Sequence, residues 1–239
     1  MSLPSVPALS VVVPVYDEED SLLPLYRELD AALASLEGGV EFIFVDDGSR
    51  DASLSLLRDL EGKDERVRVV ALEQNCGQSA ALDAGFRAVR AELTVTLDGD
   101  LQNDPADIPE LLAHLDEADV VNGIRIGRCD SRLRILSSYI ANAVRNRVTG
   151  ESVTDVGCSL RVMRTRYLRR IKLFRGMHRF LPTLLILEGA RAIEVPVSHR
   201  PRRYGRSKYG IGNRLFVGIV DLLAVRWMKK RALRYRVQK

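Results

Sequence analysis

Cysteine, histidine and aromatic residues are scarce in this sequence of 239 residues. It contains three cysteines and three histidines, and aromatic residues make up 6% of the chain. The cysteines are odd in number, widely spaced and without a CxxC pair, which argues against a disulfide framework and indicates free thiols in a reducing compartment. No histidine stands at ligand spacing from a cysteine, so we expect no zinc site. These residues are Cys76, Cys129, Cys158, His114, His178 and His199.

Long apolar segments are missing as well. The N-terminal residues show no basic segment followed by an apolar core, so we expect no secretory signal. No run reaches the ~18 consecutive apolar residues that a transmembrane helix needs. The longest runs, 215–225 and 180–187, are interrupted by Gly218, Asp221 and Pro182. The sequence therefore predicts a protein that does not span a bilayer.

The two halves of the chain carry opposite charge. Residues 1–121 have 26 acidic and 8 basic side chains, a net of −18, whereas residues 122–239 have 6 acidic and 28 basic ones, a net of +22, and the sum is the overall +4. This division predicts carboxylate chemistry in the first half and anion binding in the second. We expect no nucleic-acid partner, because the acidic half would repel one and the few aromatic residues offer few stacking platforms.

The first half alternates strand and helix patterns. Apolar β-branched runs predict strands, and apolar residues at a spacing near 3.6 predict helices. The predicted strands cover 9–15, 42–45, 67–72, 93–97 and 120–121, and the predicted helices cover 19–36, 52–61, 80–88 and 105–116. This alternation predicts an α/β fold with a mostly parallel central sheet. Beyond residue 122 we expect helices over 131–148 and 211–236 and strands over 158–163 and 191–197.

Acidic residues follow three of the predicted strands, at the point where each strand ends. Residues 17–20 follow the first strand, Asp46 and Asp47 follow the second, and Asp98 and Asp100 follow the fourth. In open α/β sheets, ligands bind beyond the carboxyl ends of the strands. We therefore expect the three acidic segments to line one crevice.

Asp98 and Asp100 form the sharpest of these signals. Two carboxylates one residue apart can reach one hard cation, and Gln102 can add a carbonyl oxygen. Mg²⁺ or Mn²⁺ in such a site is shared with substrate phosphates and neutralises a diphosphate leaving group. The metal ligands are therefore predicted to be Asp98, Asp100 and Gln102. Taken alone, the same residues also suit an ordinary Asp-Gly turn.

The other two acidic segments suit a nucleotide. Tyr16 can stack on a base, Asp17 or Glu18 can hold ribose or base edges, and Asp47 can accept hydrogen bonds beside Gly48, where a ligand can approach the backbone. Each segment alone also fits a local role, either as an acid-rich helix N-terminus or as a turn with an N-cap.

The motifs at these positions resemble the family-two inverting glycosyltransferases, and more narrowly the polyprenyl-phosphate sugar transferases. The similar motifs are Pro14-x-Tyr16-Asp-Glu18-Glu19, Asp46-Asp47-Gly-Ser49, Asn75-x-Gly77 and Asp98-x-Asp100-Leu-Gln102-x-Asp-Pro105, and the likeness covers roughly residues 9–210. It implies a single-domain glycosyltransferase A fold. The residues implied to bind a nucleotide diphosphate sugar are Pro14, Tyr16, Asp17, Glu18, Val45, Asp47, Gly77, Asp98, Gly99 and Gln102. Asp17 stands where the family often has Asn.

The basic half supports the narrower resemblance. Residues 154–161 and 194–209 are similar to segments of the lipid-phosphate enzymes. The resemblance implies that Arg202 and Lys208 sit on the diphosphate and the acceptor phosphate, and Arg125 is placed to join them. Alone, the basic residues of 202–208 also fit a solvated loop. The predicted catalytic residues are Asp100, Arg125, Arg202 and Lys208.

The acceptor decides whether a general base is needed. A phosphate monoester ionises a second time near pH ~6, so it is already nucleophilic at neutral pH and needs no base. A glycan or glycolipid hydroxyl needs one, and Asp155 is then the candidate. A non-catalytic nucleotide-sugar-binding or membrane-docking module is the alternative of another class. Residues 178–180 fit either an acceptor loop or the start of a surface helix.

Residues 211–239 combine apolar positions with a basic end. An apolar helix with Trp227 and a basic end is typical of an interfacial membrane anchor. We therefore expect a glycosyltransferase domain over 1–210, a membrane-interface helix over 211–239, and a peripheral location on the cytoplasmic face. Many members of the family that these motifs resemble continue into transmembrane helices. We therefore also expect that an integral-membrane partner can be involved.

Overall fold

The computed structural model describes residues 6–126, 145–148, 150, 154–202 and 214–233. The chain forms two compact units. The larger comprises Met1–Cys129 and Asp155–Ser207, and the smaller comprises Asp130–Thr154 and Lys208–Lys239.

A seven-stranded sheet forms the centre of the larger unit, in the order β3-β2-β1-β4-β6-β5-β7. Its strands are β1 Leu9–Val15, β2 Val40–Asp46, β3 Val67–Ala71, β4 Leu93–Thr96, β5 Val120–Ile126, β6 Arg161–Arg164 and β7 Ala192–Ser198. All neighbouring strands pair in parallel except β6, which is antiparallel to both β4 and β5. The predicted α/β fold with a mostly parallel sheet is confirmed.

Strand β1 is buried on both faces of the sheet. Val11 and Val13 of β1 belong to one core cluster, whereas Val12 between them belongs to a second. Successive side chains of a strand point to opposite faces, so a strand covered on both faces needs a continuous apolar run. This explains why β1 reads Leu-Ser-Val-Val-Val-Pro-Val rather than as an alternating pattern.

Helices follow the strands and cover the sheet. In the larger unit they are α1 Glu19–Leu33, α2 Ser53–Glu61, α3 Gln78–Ala88, α4 Ile108–Ala113, α5 Thr165–Leu168 and α6 Leu181–Leu187, with 3-10 turns at Pro105–Asp107, His114–Asp116 and Met177–Phe180. In the smaller unit α7 covers Arg214–Arg231.

Several predicted boundaries were wrong. The helix predicted over 19–36 ends at Leu33, and the one predicted over 105–116 is a short α-helix flanked by two 3-10 turns. The strand predicted over 158–163 begins only at Arg161. Of the helix predicted over 131–148, residues 145–148 are helical, and 131–144 lie outside the described residues. Local patterns fix the kind of element better than its ends, because the end turns depend on tertiary contacts.

A buried carboxylate joins the N-terminal ends of β1 and β2. Glu41 is 1% exposed and accepts hydrogen bonds from the Ser10 hydroxyl, Arg68 Nη1 at 3.1 Å, and Arg90 Nε and N at 2.8 and 2.9 Å. Burial alone raises the pKa of Glu41, but the hydrogen bonds from Ser10 and Arg90 outweigh it and lower the pKa below its ordinary value. The ionised form therefore stabilises the folded chain.

We expect Glu41→Ala to lower the free energy of unfolding by about 2–4 kcal/mol, because it leaves buried donors without their acceptor. Urea unfolding followed by circular dichroism measures the loss. Because the folded pKa lies below the unfolded one, the wild-type contribution is present above the unfolded pKa and is lost as pH falls through the folded value. The exposed Glu37 provides the control: Glu37→Ala should change stability by less than about 0.5 kcal/mol. Equal losses in the two variants would contradict this role.

Candidate active site

The turn after β4 brings two carboxylates to the carboxyl edge of the sheet. Asp98 Oδ1 accepts a hydrogen bond from Gln78 Nε2 at 2.8 Å, and Asp98 N donates to Ser159 Oγ at 3.2 Å. Asp100 Oδ1 accepts from Gln102 N at 3.2 Å. A Cβ on Gly99 would lie 3.3 Å from the Pro14 carbonyl oxygen, so the absence of a side chain there lets the turn pack against the end of β1. The hydrogen bonds of Asp98 and Asp100 thus hold the turn in shape.

The electrostatics of this turn suit a cation. Burial and the neighbouring charge of Asp100 raise the pKa of Asp98 to about 6, against the opposing effects of Ser159 and Arg161. Within the described residues, no cluster of three or more His, Cys, Asp or Glu side chains could hold a metal ion. Mg²⁺ commonly binds through only one or two carboxylates together with substrate phosphates. Asp98, Asp100 and Gln102 fit that limited donor set.

Arg202 lies against this turn from a distant part of the sequence. Its Nη2 is 2.5 Å from Asp100 Oδ2, although the two residues are 102 positions apart. Its Nη1 is 3.5 Å from Glu18 Oε1, an ion-pair distance that is long for a hydrogen bond. Arg202, one of the basic residues implied to bind the diphosphate and the acceptor phosphate, therefore lies beside both the predicted metal ligands and the acidic end of β1.

Arg200 holds the segment that carries Arg202. Its backbone N donates to the Gln102 carbonyl at 2.9 Å, and its guanidinium pairs with Glu28 at 2.6 Å and with Asp104 at 2.5 Å. The backbone at His199 also bridges that of Asn103. These contacts dock the segment after β7 on the Asp98–Gln102 turn.

The segments after β1 and β2 are tied together by their acidic residues. Asp17 N donates to Ser49 Oγ at 2.9 Å, Asp17 Oδ1 accepts from Arg50 N at 2.7 Å, and Glu18 N donates to Ser53 Oγ at 2.9 Å. Asp17 has a φ of 49°, in the left-handed region that Asn and Asp tolerate better than most residues. The backbone thus explains why Asp can replace the Asn that the resemblance leads one to expect.

Asp47 shapes the loop between β3 and α3. Its carboxylate accepts hydrogen bonds from Cys76 N at 2.7 Å, Gly77 N at 2.9 Å and Asn75 Nδ2 at 3.1 Å. Burial raises the pKa of Asp47, while the bonds from Cys76 and Gly77 oppose the rise. Gly77 has a φ of 90°, which favours glycine. The predicted nucleotide residues Asp47 and Gly77 are therefore brought together with Asn75.

Arg125 and Asp155 form a buried fork. Arg125 Nε and Nη2 lie 2.7 and 2.8 Å from the two oxygens of Asp155, whose side chain is 7% exposed. Gly157 N also donates to Asp155, and a Cβ on Gly157 would lie 2.4 Å from Arg125 Nη2. Asp155, the base candidate of the hydroxyl-acceptor alternative, therefore has both oxygens engaged by a cation.

Three residues at this edge were not predicted as site residues. Gln78 and Ser159 bind Asp98, and Arg161 is 5% exposed. Asp46 belongs to an acidic segment that was expected to line the crevice, and its Oδ1 is buried without a hydrogen-bond partner in the described part of the chain. Gln78 directly follows the Asn75-x-Gly77 motif, which was a usable signal. Ser159 and Arg161 reach the edge only because β6 runs antiparallel to β4, and local pattern carries no strand direction.

Two predicted residues remain outside this cluster. Lys208 lies outside the described residues. His178 lies in the 3-10 turn Met177–Phe180, which leads directly into α6, and its Nδ1 is 2.7 Å from Ser79 Oγ. Burial and the charge of Arg179 lower the pKa of His178 to about 3, so the ring is neutral at physiological pH.

The sequence has close curated relatives. The profile described as glycosyl transferase family 2 matches residues 10–172. A dodecaprenyl-phosphate galacturonate synthase of Rhizobium johnstonii is 43% identical over 223 residues, covering 91% of this chain and 66% of the relative. An undecaprenyl-phosphate 4-deoxy-4-formamido-L-arabinose transferase of Klebsiella pneumoniae is 40% identical over 225 residues, covering 93% and 67%. The chain thus spans about two thirds of the length of these relatives.

Solved structures share the fold at low sequence identity. A glucosyl-3-phosphoglycerate synthase from Mycobacterium tuberculosis, in complex with Mn²⁺, UDP and phosphoglyceric acid, superposes with a TM-score of 0.69 at 19% identity, over 95% of this chain and 80% of that one. TarS of S. aureus in complex with UDP-GlcNAc gives a TM-score of 0.65 at 19% identity, over 95% and 68%. The expected glycosyltransferase A fold is confirmed.

Proposed function

This chain belongs to glycosyl transferase family 2, and we propose that it transfers a sugar, with inversion, from a nucleotide diphosphate sugar to a polyprenyl phosphate such as undecaprenyl or dolichyl phosphate. The observation that carries the proposal is the contact between Arg202 and Asp100 beside Asp98. In that contact the Arg202 guanidinium lies beside the carboxylate of Asp100, and we propose that this guanidinium binds phosphate. Curated relatives at about 40% identity, named as polyprenyl-phosphate sugar transferases, support the acceptor.

The site residues suit a reaction in which two anions meet. Mg²⁺ or Mn²⁺ held by Asp98, Asp100 and Gln102 would neutralise the diphosphate leaving group. Arg202 is close enough to that turn to bind the diphosphate, and Arg125 offers a guanidinium for the acceptor phosphate. The acceptor oxygen forms the new bond to the anomeric carbon, and the bond between that carbon and the diphosphate oxygen breaks.

The nucleotide is proposed to lie over the ends of β1, β2 and β4. Tyr16, Asp17 and Glu18 line the first of these ends, and Asp47 holds the loop of Asn75 and Gly77 beside the second. The remaining proposed nucleotide-sugar contacts are Pro14, Val45 and Gly99, and Lys208 is proposed to bind phosphate. They follow from the motif resemblance together with the shared fold.

A phosphate acceptor fits this site better than a hydroxyl. A hydroxyl acceptor needs a general base within reach, and the candidate Asp155 is held by Arg125 in a buried fork. A dianionic phosphate needs only cations to position it. The intact Asp98, Asp100, Gln102 and Arg202 disfavour a non-catalytic binding module.

A donor and acceptor panel tests this function. Purified protein is incubated with Mn²⁺ or Mg²⁺, one of several nucleotide sugars including a nucleotide-linked galacturonate, and either undecaprenyl phosphate or a saccharide acceptor. Mass spectrometry then detects lipid-linked or glycan product. We expect metal-dependent formation of a polyprenyl-phosphate sugar. Product formed only on the saccharide would favour the hydroxyl-acceptor alternative, and binding of a nucleotide sugar without any product would favour the non-catalytic module.

The C-terminal segment 211–239 is proposed to lie at the membrane interface, while 1–210 forms the transferase domain. On α7, Ile219, Leu223 and Trp227 recur every four residues and are 48%, 57% and 63% exposed. They form an apolar stripe that ends in the basic residues 229–231. An exposed apolar stripe with a basic end is typical of helices that lie in a membrane interface. Among the described helices, none combines the length and the apolar character that crossing a bilayer requires.

The proposed location follows from the two substrates. The lipid acceptor requires contact with a membrane surface, and nucleotide sugars are made in the cytoplasm, so the protein is proposed to work peripherally at the cytoplasmic face of the membrane. An integral-membrane partner is compatible with this arrangement. Co-purification from detergent-solubilised membranes tests for such a partner.

Leu223→Asp combined with Trp227→Ser is expected to weaken binding to anionic vesicles by at least about 100-fold, because each side chain contributes about 1.5–3 kcal/mol when buried in the interface. Sedimentation with phosphatidylglycerol vesicles measures the partition constant. Leu23→Asp, on the partly exposed face of α1, is the matched control and should leave the partition constant unchanged. Unchanged vesicle binding of the α7 variant would remove the support for the interface helix.

A further inference from the structure

Arg161 lies at the predicted site but is not among the proposed substrate ligands. It is the first residue of β6, and the register places it opposite Thr96 of β4 and Asn122 of β5. Thr96 precedes the Asp98–Gln102 turn by two residues, and Asn122 precedes Arg125 by three. The side chain thus originates between the two parts of the site, the metal turn and the fork of Arg125.

The guanidinium of Arg161 is buried and only partly satisfied. The residue is 5% exposed, and its Nη2 donates to the Val156 carbonyl at 3.1 Å. Its Nε is buried and has no hydrogen-bond partner within the described residues. An arginine retained for stability alone is expected to have its buried donors paired, because each unpaired donor is costly. This arrangement indicates a constraint other than stability.

The carbonyl that Arg161 binds belongs to the turn that holds Arg125. Val156 lies between Asp155 and Gly157 in the sequence. Both carboxylate oxygens of Asp155 accept hydrogen bonds from Arg125, and the absence of a Cβ on Gly157 leaves room for Arg125 Nη2. A shift of this turn would therefore move both contacts that orient the Arg125 guanidinium. The hydrogen bond from Arg161 to Val156 connects this turn to the first residue of β6.

We propose that Arg161 is a positioning residue for the acceptor: it fixes the 155–157 turn, and that turn holds Arg125 in the orientation that the acceptor phosphate requires. This inference rests on the proposed function. Arg161 does not touch the substrate itself. A fork of two parallel hydrogen bonds is strongly directional, so a small rotation of Arg125 weakens phosphate binding while the fold is kept.

Binding of farnesyl phosphate, measured by calorimetry, tests the inference without requiring turnover. Arg161→Gln is expected to weaken farnesyl phosphate binding about 10- to 100-fold, which is the effect of losing a hydrogen bond from a charged donor. Arg161→Lys keeps the charge and one donor, and is expected to weaken binding by less than about 10-fold. The dissociation constant of UDP with Mn²⁺ should stay within about twofold of wild type in Arg161→Lys, because this variant keeps the positive charge near Asp98 and the predicted donor site is not held by the 155–157 turn.

Arg164→Gln is the matched control. Arg164 ends the same strand, and its Nη2 also donates to a single carbonyl, that of Leu115 at 2.9 Å. This variant should leave farnesyl phosphate binding unchanged. Thermal unfolding of each variant shows whether the fold is retained, and Arg161→Lys provides the test if Arg161→Gln does not fold.

The outcomes separate the inference from the function. If wild type transfers sugar to undecaprenyl phosphate but the folded Arg161 variants bind farnesyl phosphate normally, Arg161 has no positioning role and the function stands. Arg161 also lies near Asp98, so a loss confined to UDP and Mn²⁺ binding would assign it to the donor side and overturn the inference. If wild type neither transfers sugar nor binds farnesyl phosphate, the function and the inference are both wrong.

Discussion

Asp100→Asn is expected to lower kcat/KM for sugar transfer by about 100- to 1,000-fold, the cost typical of removing one group that stabilises transition-state charge. The substitution keeps the size of the side chain and removes its charge. Asp100 is a proposed metal ligand, and it is also the partner of Arg202 at 2.5 Å. Without the carboxylate, a divalent cation loses one of two charged ligands, and Arg202 loses the contact that places it beside the turn.

Two measurements check this result. When the Mn²⁺ concentration is raised, the initial rate of the variant should increase less than that of wild type. Calorimetry should show weaker binding of Mn²⁺ together with the nucleoside diphosphate. Asp116→Asn is the matched control, because Asp116 is an exposed carboxylate in the same half of the chain and should leave the rate unchanged. An Asp100→Asn enzyme with wild-type rates would remove the Asp98–Gln102 turn from the proposed chemistry.

The second large effect is expected at the buried fork. Arg125→Lys should lower kcat/KM for the polyprenyl phosphate by about 100-fold, because lysine keeps the charge but cannot make the two parallel hydrogen bonds of a guanidinium. The substitution also removes at least one of the two hydrogen bonds that Asp155, which is 7% exposed, accepts from the Arg125 side chain. The loss should fall mainly on the KM of the acceptor, with little change in the KM of the donor.

Asp155→Asn separates positioning from base catalysis at the same fork. If Asp155 only holds Arg125, the variant should raise the KM of the acceptor and leave the shape of the pH–rate profile unchanged. If Asp155 is a general base, kcat should fall and the acidic limb of the profile should disappear. The second result would favour a hydroxyl acceptor.

Arg50→Lys, at an exposed arginine of the β2–α2 loop, is the control for the arginine-to-lysine change at Arg125.

Much of the fold could be predicted because its signals are local. The continuous apolar run of β1 and the alternation of strands with helices were sufficient to predict a mostly parallel α/β sheet. The element ends were predicted less well. The helix expected over 105–116 is divided by 3-10 turns, where Asp104 caps Ala106 N and Pro109 lies near the start of α4. The ends of a helix depend on its contacts with the rest of the fold as well as on the spacing of its apolar residues.

The candidate site could be predicted where its residues follow parallel strands. Asp98, Asp100 and Asp47 end or follow such strands, and parallel strands share one carboxyl edge. The sequence did not predict a role for Ser159 or Arg161, because Ser159 precedes β6 and Arg161 is its first residue. A residue before a strand reaches the same edge only when that strand is antiparallel, as β6 is.

The sequence by itself determined the kinds of element, the buried strands and the acidic residues at the strand ends, because each depends on neighbours a few positions apart. Only the tertiary structure decided that Arg202 meets Asp100 across 102 residues, that Asp155 is occupied by Arg125, and that Arg161 supports their turn. Those contacts depend on strand order and direction. Strand order is set by the packing of the whole sheet, and no local spacing of residues encodes it.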